Sequence, residues 1–256
     1  MPAVLPAMTT ADERPRSRLS TGHEVTLPLE LSFAMGGATV PARRGRLEAV
    51  LPDGLSALAL APGVGCVTLV GIQYHRVGDD RDGTGLEPYD EFAVIVPAVR
   101  GGRTTRPLAQ LAGSDLGGYV HWLPVTTAPS VALGREIWGY PKELAAITVT
   151  DGPDGIRTVV DGGRYGDAPI RLEVVRPRLE PRARDWTLTS YTTKDGTLVR
   201  TTARIRGDVA IGSGLGTRLS IPSALARELG LWRRPLARLY GSDVRARLFE
   251  GERLVE

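Results

Sequence analysis

The amino-acid sequence predicts a mainly β, α+β protein whose many short strands form a sandwich or a barrel. Three observations carry this prediction. Apolar residues recur at every second position in one segment after another. Turn sequences rich in Gly, Asp and Pro separate those segments. Only two stretches carry helix signals of their own. At 256 residues, 42% apolar and 24% charged, the chain can bury a sizeable core.

Residues 1–20, MPAVLPAMTTADERPRSRLS, keep no period and read as a flexible N-terminal arm. Residues 21–256 read as one domain, because no composition break or fixed-period repeat divides them. Val25, Leu27, Leu29, Leu31 and Phe33 share one face of an extended segment. Pro28, on the other face, marks an edge or a bulge. RGRLEAVLP (44–52) makes a short helix that stops before its proline. Strand-like runs follow at 56–61, 66–77, 92–99 and 118–125. DGPDG (151–155) joins ELAAITVT to IRTVV as a hairpin, and KDG (194–196) turns WTLTSYTT into TLVRTTARI. IRLEVVR (170–176) continues the pattern. In SIPSALARELG (220–230), Ser220 is the N-cap, Pro222 lies in the first turn and Gly230 is the stop. GSGLG (212–216) lacks the ending of a phosphate loop and reads as a turn.

Several function classes fall away. The net charge of +3 comes from arginines interspersed with 29 acidic residues, and ARRGR (42–46) has no aromatic platform, which argues against nucleic acid. His23, His75 and His121 have no metal-ligand spacing, and Cys66 is the single cysteine. That cysteine count fits a reducing, cytoplasmic setting. No apolar run reaches the ~18 residues of a membrane span, and no secretory signal opens the chain.

One stretch stands out: GREIWGYPKELAAITV, residues 134–149. Of 32 basic residues only Lys142 and Lys194 are lysines, so the chain writes arginine almost everywhere else. Taken as extended, 136–142 places Trp138, Tyr140 and Lys142 on one face and Glu143 on the other. Burial among aromatic rings lowers an amine's pKa and frees it as a nucleophile toward carbonyl carbon. The alternative is a lysine whose stem snorkels to water. Lys194, at an Asp-Gly hairpin tip, reads as solvated.

This stretch, with GGYVHWLPVTTAPSVAL before it, resembles the active-site region of the acetoacetate decarboxylase family. Gly134, Arg135, Glu136, Pro141 and Lys142 match the family's G-R-E-x-x-x-x-P-K pattern, and Tyr119 and His121 match the strand upstream. Weaker similarity runs from about residue 25 to the C-terminus, through AVLPDGL, GLEPYDEFAVIVP and GTRLSIPSALA. The resemblance implies a cone-shaped antiparallel β-barrel with a few short helices, a Schiff-base lysine at Lys142 and a pocket carboxylate at Glu91. It implies no cofactor, a small keto acid or ketone as substrate, and a homo-oligomer. Trp138, Tyr140, Tyr74 and Glu143 are candidates for contacting substrate. Asp90 and Tyr74 are weaker candidates for handling protons. Arg135, Glu136 and His121 read as residues that hold the barrel together.

The sequence also departs from the family pattern. The second of two consecutive lysines is Glu143 here. The arginine that meets a substrate carboxylate falls around Phe33, and a second glutamate falls near Val70 or Gly71. These changes point away from acetoacetate, toward aldol, dehydration or cyclisation chemistry ahead of simple decarboxylation. They also motivate a different class: a barrel without catalysis that binds a hydrophobic small molecule, with Lys142 paired to Glu143 or Glu91.

Overall fold

The period-two face that begins at Val25 builds the first wall of a closed barrel. The structure, a computed structural model, describes residues 15–78, 84–101, 115–166, 168–177 and 182–254. The strands are β1 (Arg16–Arg18), β2 (Glu24–Thr26), β3 (Leu29–Arg43), β4 (Leu55–Ala57), β5 (Val64–Val77), β6 (Asp90–Arg100), β7 (Asp115–Val125) and β8 (Lys142–Leu144). They continue as β9 (Ala146–Gly152), β10 (Gly155–Asp161), β11 (Ile170–Val175), β12 (Arg182–Lys194), β13 (Thr197–Ser213), β14 (Thr217–Ser220), β15 (Ala237–Leu248) and β16 (Glu252–Arg253). Three helices, α1 (Arg44–Glu48), α2 (Ala128–Trp138) and α3 (Ser223–Leu229), complete the described elements.

Seven strands close a ring in the order β3, β5, β6, β7, β12, β13, β15 and back to β3. Six of its pairings are antiparallel, and the ring is completed by a short parallel contact between β7 and β12. Closure leaves no open edge between these strands. A four-stranded sheet, in the order β14-β11-β10-β9, covers part of the outer wall.

Two apolar layers result. Odd-numbered residues of β3, among them Leu29, Leu31 and Phe33, point into the barrel with Val25, Leu27, Val70, Tyr74, Ala93 and Leu123. Even-numbered ones, Ala34 to Ala42, meet Ile147, Val149, Ile156 and Leu172 of the covering sheet. A glycine pair seats that sheet. Gly36 lies opposite Gly71 across β3 and β5. A Cβ on Gly36 would stand 2.8 Å from the Ile156 Cβ, and one on Gly71 would stand 1.9 Å from Thr158 Oγ1. Only bare backbone lets β10 approach so closely.

Three sequence expectations need correcting. The arm expected over 1–20 is ordered in its last part: residues 1–14 lie outside the described residues, but Arg16–Arg18 pairs with Glu24–Thr26, and Leu19 is buried in the barrel layer. Pro28 marks a break between β2 and β3 rather than an edge, since β3 has a partner on both sides. Ser220 ends β14; the N-cap of α3 is Pro222, and Gly230 ends that helix at φ 64 as expected.

Gly71→Ala forces a methyl into the Thr158 side chain, an overpacking that costs about 1–3 kcal/mol. Thermal unfolding should begin several degrees lower than in the parent chain, at about 2–4 °C per kcal/mol for a domain of this size. An unchanged melting temperature would mean that the two sheets do not pack here.

Candidate active site

Four strands and one helix bring the candidate residues together. On β6 and just before it, alternation sends Tyr89, Glu91 and Ala93 into the barrel and Asp90 outward. Asp90 Oδ2 accepts the Val149 N–H at 2.9 Å, so this weaker proton-handling candidate belongs to the covering sheet. Tyr74 comes from β5, opposite Phe33 on β3, with the two rings edge to face at 5.5 Å. Lys142 opens β8, which runs parallel to β7 so that Lys142 sits beside Leu123.

The segment before Lys142 is not extended. Residues 128–138 form α2, which the sequence reading missed although its signals are present. Thr127 caps the N-terminus by accepting the Ser130 N–H, and Pro129 sits in the first turn. Gly139, at φ 68, ends the helix. The α2 carbonyls at this end are accounted for. The Gly139 N–H meets the Arg135 and Gly134 oxygens, and the Tyr140 N–H also reaches Gly134 O. Thr192 Oγ1 donates to Trp138 O at 2.6 Å. Lys194 Nζ donates to Glu136 O and, at 3.4 Å, to Ile137 O. The second lysine is therefore not simply solvated: it neutralises the negative end of the helix that delivers the first.

The lysine stem is held tightly. A Cβ on Gly134 would stand 2.5 Å from Lys142 Cδ, so the helix touches the side chain directly. Arg135 Nε donates to Lys142 O at 2.6 Å, which fixes the backbone. Glu136 takes the Ser20 N–H at 3.0 Å and ties the N-terminal hairpin to the helix. Arg135 and Glu136 thus hold structure, as expected of them. So does His121, whose Nε2 lies 3.1 Å from both Tyr165 Oη and Glu228 Oε1, outside the barrel interior. Tyr119 packs toward the Leu55, Ala98 and Tyr191 cluster.

Inside the barrel, Lys142 Nζ lies 2.7 Å from Glu91 Oε2 and donates to Tyr89 Oη at 3.1 Å. Tyr74 Oη donates to the other Glu91 oxygen at 3.2 Å. The Tyr74 and Tyr89 rings lie 4.5 Å apart. Lys142 and Glu91 are each only 4% exposed. Tyr140 is buried beside them, with its hydroxyl 2.8 Å from Ser190 Oγ. Trp138 backs Tyr140 at 5.8 Å and anchors its indole N–H on Phe249 O. Tyr89 was not singled out by the sequence reading. The available signal was its position two residues before Glu91, on the same face of the strand.

Electrostatics corrects the expectation of a free amine. Burial alone pushes the Lys142 ammonium toward neutrality, but the Glu91 carboxylate, seconded by Tyr89, outweighs it and holds the pKa above its ordinary 10.5. Burial pushes the Tyr89 phenol up to about 12, with Lys142 drawing it back and Glu91 raising it. Tyr140 is likewise pushed up to about 12, chiefly by burial. Burial and then Glu91 hold Tyr74 well above the usual phenol range.

Glu143 takes no part in this pair. Alternation turns it to the other face of β8, where Oε1 accepts the Trp122 indole N–H at 2.8 Å and the Arg164 N–H at 2.9 Å. The sequence reading placed it among substrate contacts; the geometry makes it an anchor for Trp122 and the 163–165 turn. Phe33 and Val70, at the positions of the missing arginine and glutamate, are both buried in the barrel layer.

Comparison with known proteins gives a consistent result. Residues 27–193 match the family described as acetoacetate decarboxylase (ADC). Acetoacetate decarboxylase 1 of Mesorhizobium japonicum is 29% identical over 134 residues, 52% of this chain and 46% of that protein. The acetoacetate decarboxylase of Burkholderia vietnamiensis is 29% identical over 119 residues, 46% of this chain and 39% of that one. The chain thus spans less than half the length of these curated relatives. Among solved structures, the enduracididine biosynthesis enzyme MppR complexed with pyruvate superposes with a TM-score of 0.60 at 15% identity, covering 90% of this chain and 92% of that one. Acetoacetate decarboxylase from Legionella pneumophila superposes with a TM-score of 0.59 at 17% identity, covering 98% and 92%. These likenesses place the fold among acetoacetate decarboxylase-like barrels.

The pair makes a prediction about pH. With its folded pKa above the unfolded value, Lys142 contributes stability that is complete below pH ~10 and lost as pH rises through the folded value. In Glu91→Gln burial, the largest single influence, is opposed by Tyr89 alone, so the folded pKa falls below 10.5 and the sign reverses: stability is lost as pH falls below that value. Nitrogen-15 lysine labelling yields only two amine signals in this chain. The Lys142 signal should titrate below its ordinary range in Glu91→Gln and stay put in Glu143→Gln. A shift in the Glu143 variant would show that residue to be the controlling charge.

Proposed function

The chain belongs to the acetoacetate decarboxylase family, and we propose that it is a Schiff-base-forming lyase acting on a keto acid or ketone more apolar than acetoacetate. The observation that carries this reading is Lys142, buried in a barrel against the Glu91 carboxylate. Arginine could supply charge there but could not form an imine. A lysine kept as an amine in an arginine-dominated chain supports a covalent role.

A resting ammonium does not oppose the chemistry. Glu91 takes one ammonium proton, and the freed amine attacks the ketone carbon. A second nitrogen proton moves to the carbonyl oxygen, and the first returns as water leaves. Ammonium plus ketone becomes iminium plus water, and Glu91 ends as it began. The iminium withdraws electrons from the neighbouring carbon, so Glu91 can next move a proton at that carbon or at a leaving hydroxyl. Phe33, which stands at the position of the family's arginine, offers no cation there for a small substrate's carboxylate. That supports aldol, dehydration or cyclisation chemistry ahead of decarboxylation. MppR, solved with pyruvate and with a condensation product of pyruvate and an aldehyde, has the same fold. Tyr140, backed by Trp138, and Tyr74 line the substrate side in this reading, and assembly into a homo-oligomer is part of it.

The rival reading, a binding barrel without catalysis, draws on the same Lys142–Glu91 pair as a purely structural contact. Borohydride trapping separates the two. Incubation with acetoacetate, pyruvate or acetylacetone followed by reduction should leave a mass adduct on the peptide carrying Lys142, and none in Lys142→Arg. Absence of an adduct with every ketone across pH ~6–9 would favour the binding barrel. Rapid carbon dioxide release from acetoacetate would instead restore decarboxylation as the main reaction.

A further inference from the structure

Glu91 is not the sole proton-bearing group against the amine. Tyr89 Oη accepts a hydrogen bond from Lys142 Nζ at 3.1 Å, and the ammonium also lies 4.9 Å from the centre of the Tyr89 ring. The Tyr89 and Tyr74 rings lie 4.5 Å apart, tilted against each other. Tyr74 in turn donates to Glu91 Oε1, while Glu91 Oε2 pairs with Lys142. Four side chains therefore form one run of polar contacts, Tyr89 to Lys142 to Glu91 to Tyr74, whose two ends meet through their aromatic rings. All four are at least nine-tenths buried.

Resting on the Schiff-base reading, we propose that Tyr89 is a catalytic acid for imine formation, recharged through Tyr74 from Glu91. Addition of the amine to a ketone leaves a carbinolamine whose oxygen is two bonds from Nζ, within reach of a hydroxyl that touches Nζ. Tyr89 gives that oxygen its proton. The carbon–oxygen bond breaks with both electrons going to oxygen, which leaves as water, and the nitrogen lone pair completes the carbon–nitrogen double bond. The Tyr89 oxygen takes a proton from Tyr74, and Tyr74 takes the one that Glu91 removed from the ammonium. The four groups return to their starting charges with no outside acid. Glu91 alone serves this step poorly, because its Oε2 faces the nitrogen and its Oε1 is occupied by Tyr74.

The test is the single-turnover rate of borohydride-trappable adduct at Lys142 with excess acetone. Tyr89→Phe keeps the ring stacked on Tyr74 and removes only the hydroxyl. It should slow adduct formation about 100-fold, within the usual range for one general acid. Fluorinated tyrosines at position 89 preserve shape and raise acidity, so they should speed it, and they remain informative if Tyr89→Phe folds poorly. Equal rates in the parent chain and Tyr89→Phe, or a rate that does not rise on fluorination, would overturn the assignment while leaving the Schiff base intact. An adduct absent from the parent chain itself would instead remove the reading beneath it.

Discussion

The rest of the site depends on one contact, an ammonium and a carboxylate 2.7 Å apart inside an apolar barrel. Each charge alone would cost several kcal/mol to bury, and the pair offsets that cost only while its geometry holds. The surrounding structure supplies the stiffness. Glu91 lies within the barrel wall, paired to Ile72 on one side and Val125 on the other. Lys142 is fixed by its β7 neighbour Leu123, by Arg135 on its carbonyl and by Gly134 against its stem. Helix α2 can deliver it because its last carbonyls are occupied, two of them by Lys194. The two lysines of the chain thus work on one site.

That contact also recasts the charge balance. The sequence offers Glu143, the immediate neighbour, as the residue that would tune the amine. A period of two forbids it: adjacent residues on a strand face opposite ways. Glu143 binds Trp122 and the Arg164 amide on the outer layer, while control of the amine passes to Glu91 on another strand. The resulting pair holds the amine in its charged form. In the proposed Schiff-base chemistry protons are conserved: the one that Glu91 takes from the ammonium balances the one spent on the departing water.

Much of this was legible in the sequence wherever a strand runs unbroken. The inward face from Val25 to Phe33, the two hairpins, the short α1 and the stop at Gly230 follow from period and turn chemistry. Lys142 and Glu91 follow from the motif and Tyr74 stands beside them as a weaker candidate, and the structure brings all three together. The failures have a shared cause. Residues 136–142 were read as extended because Trp138, Tyr140 and Lys142 alternate, yet the chain leaves a helix at Gly139 and the same three side chains reach the interior by another path. Lys194 looked solvated because a hairpin tip says nothing about the helix that docks on it. Tyr89 is signalled by its place two residues before Glu91, whereas the suppression of the free amine depends on distances between strands, which a one-dimensional pattern does not contain.

The most direct measurement of the central claim is the pH dependence of imine formation at Lys142. If Glu91 holds the proton that the amine gives up, the population of amine and acid within the pair does not change with bulk pH. The rate of adduct formation with a neutral ketone should then stay nearly level from pH ~6 to ~9. A rate that climbs about tenfold per pH unit through that window would mean that the amine must lose its proton to solvent. That result would contradict the paired-proton account.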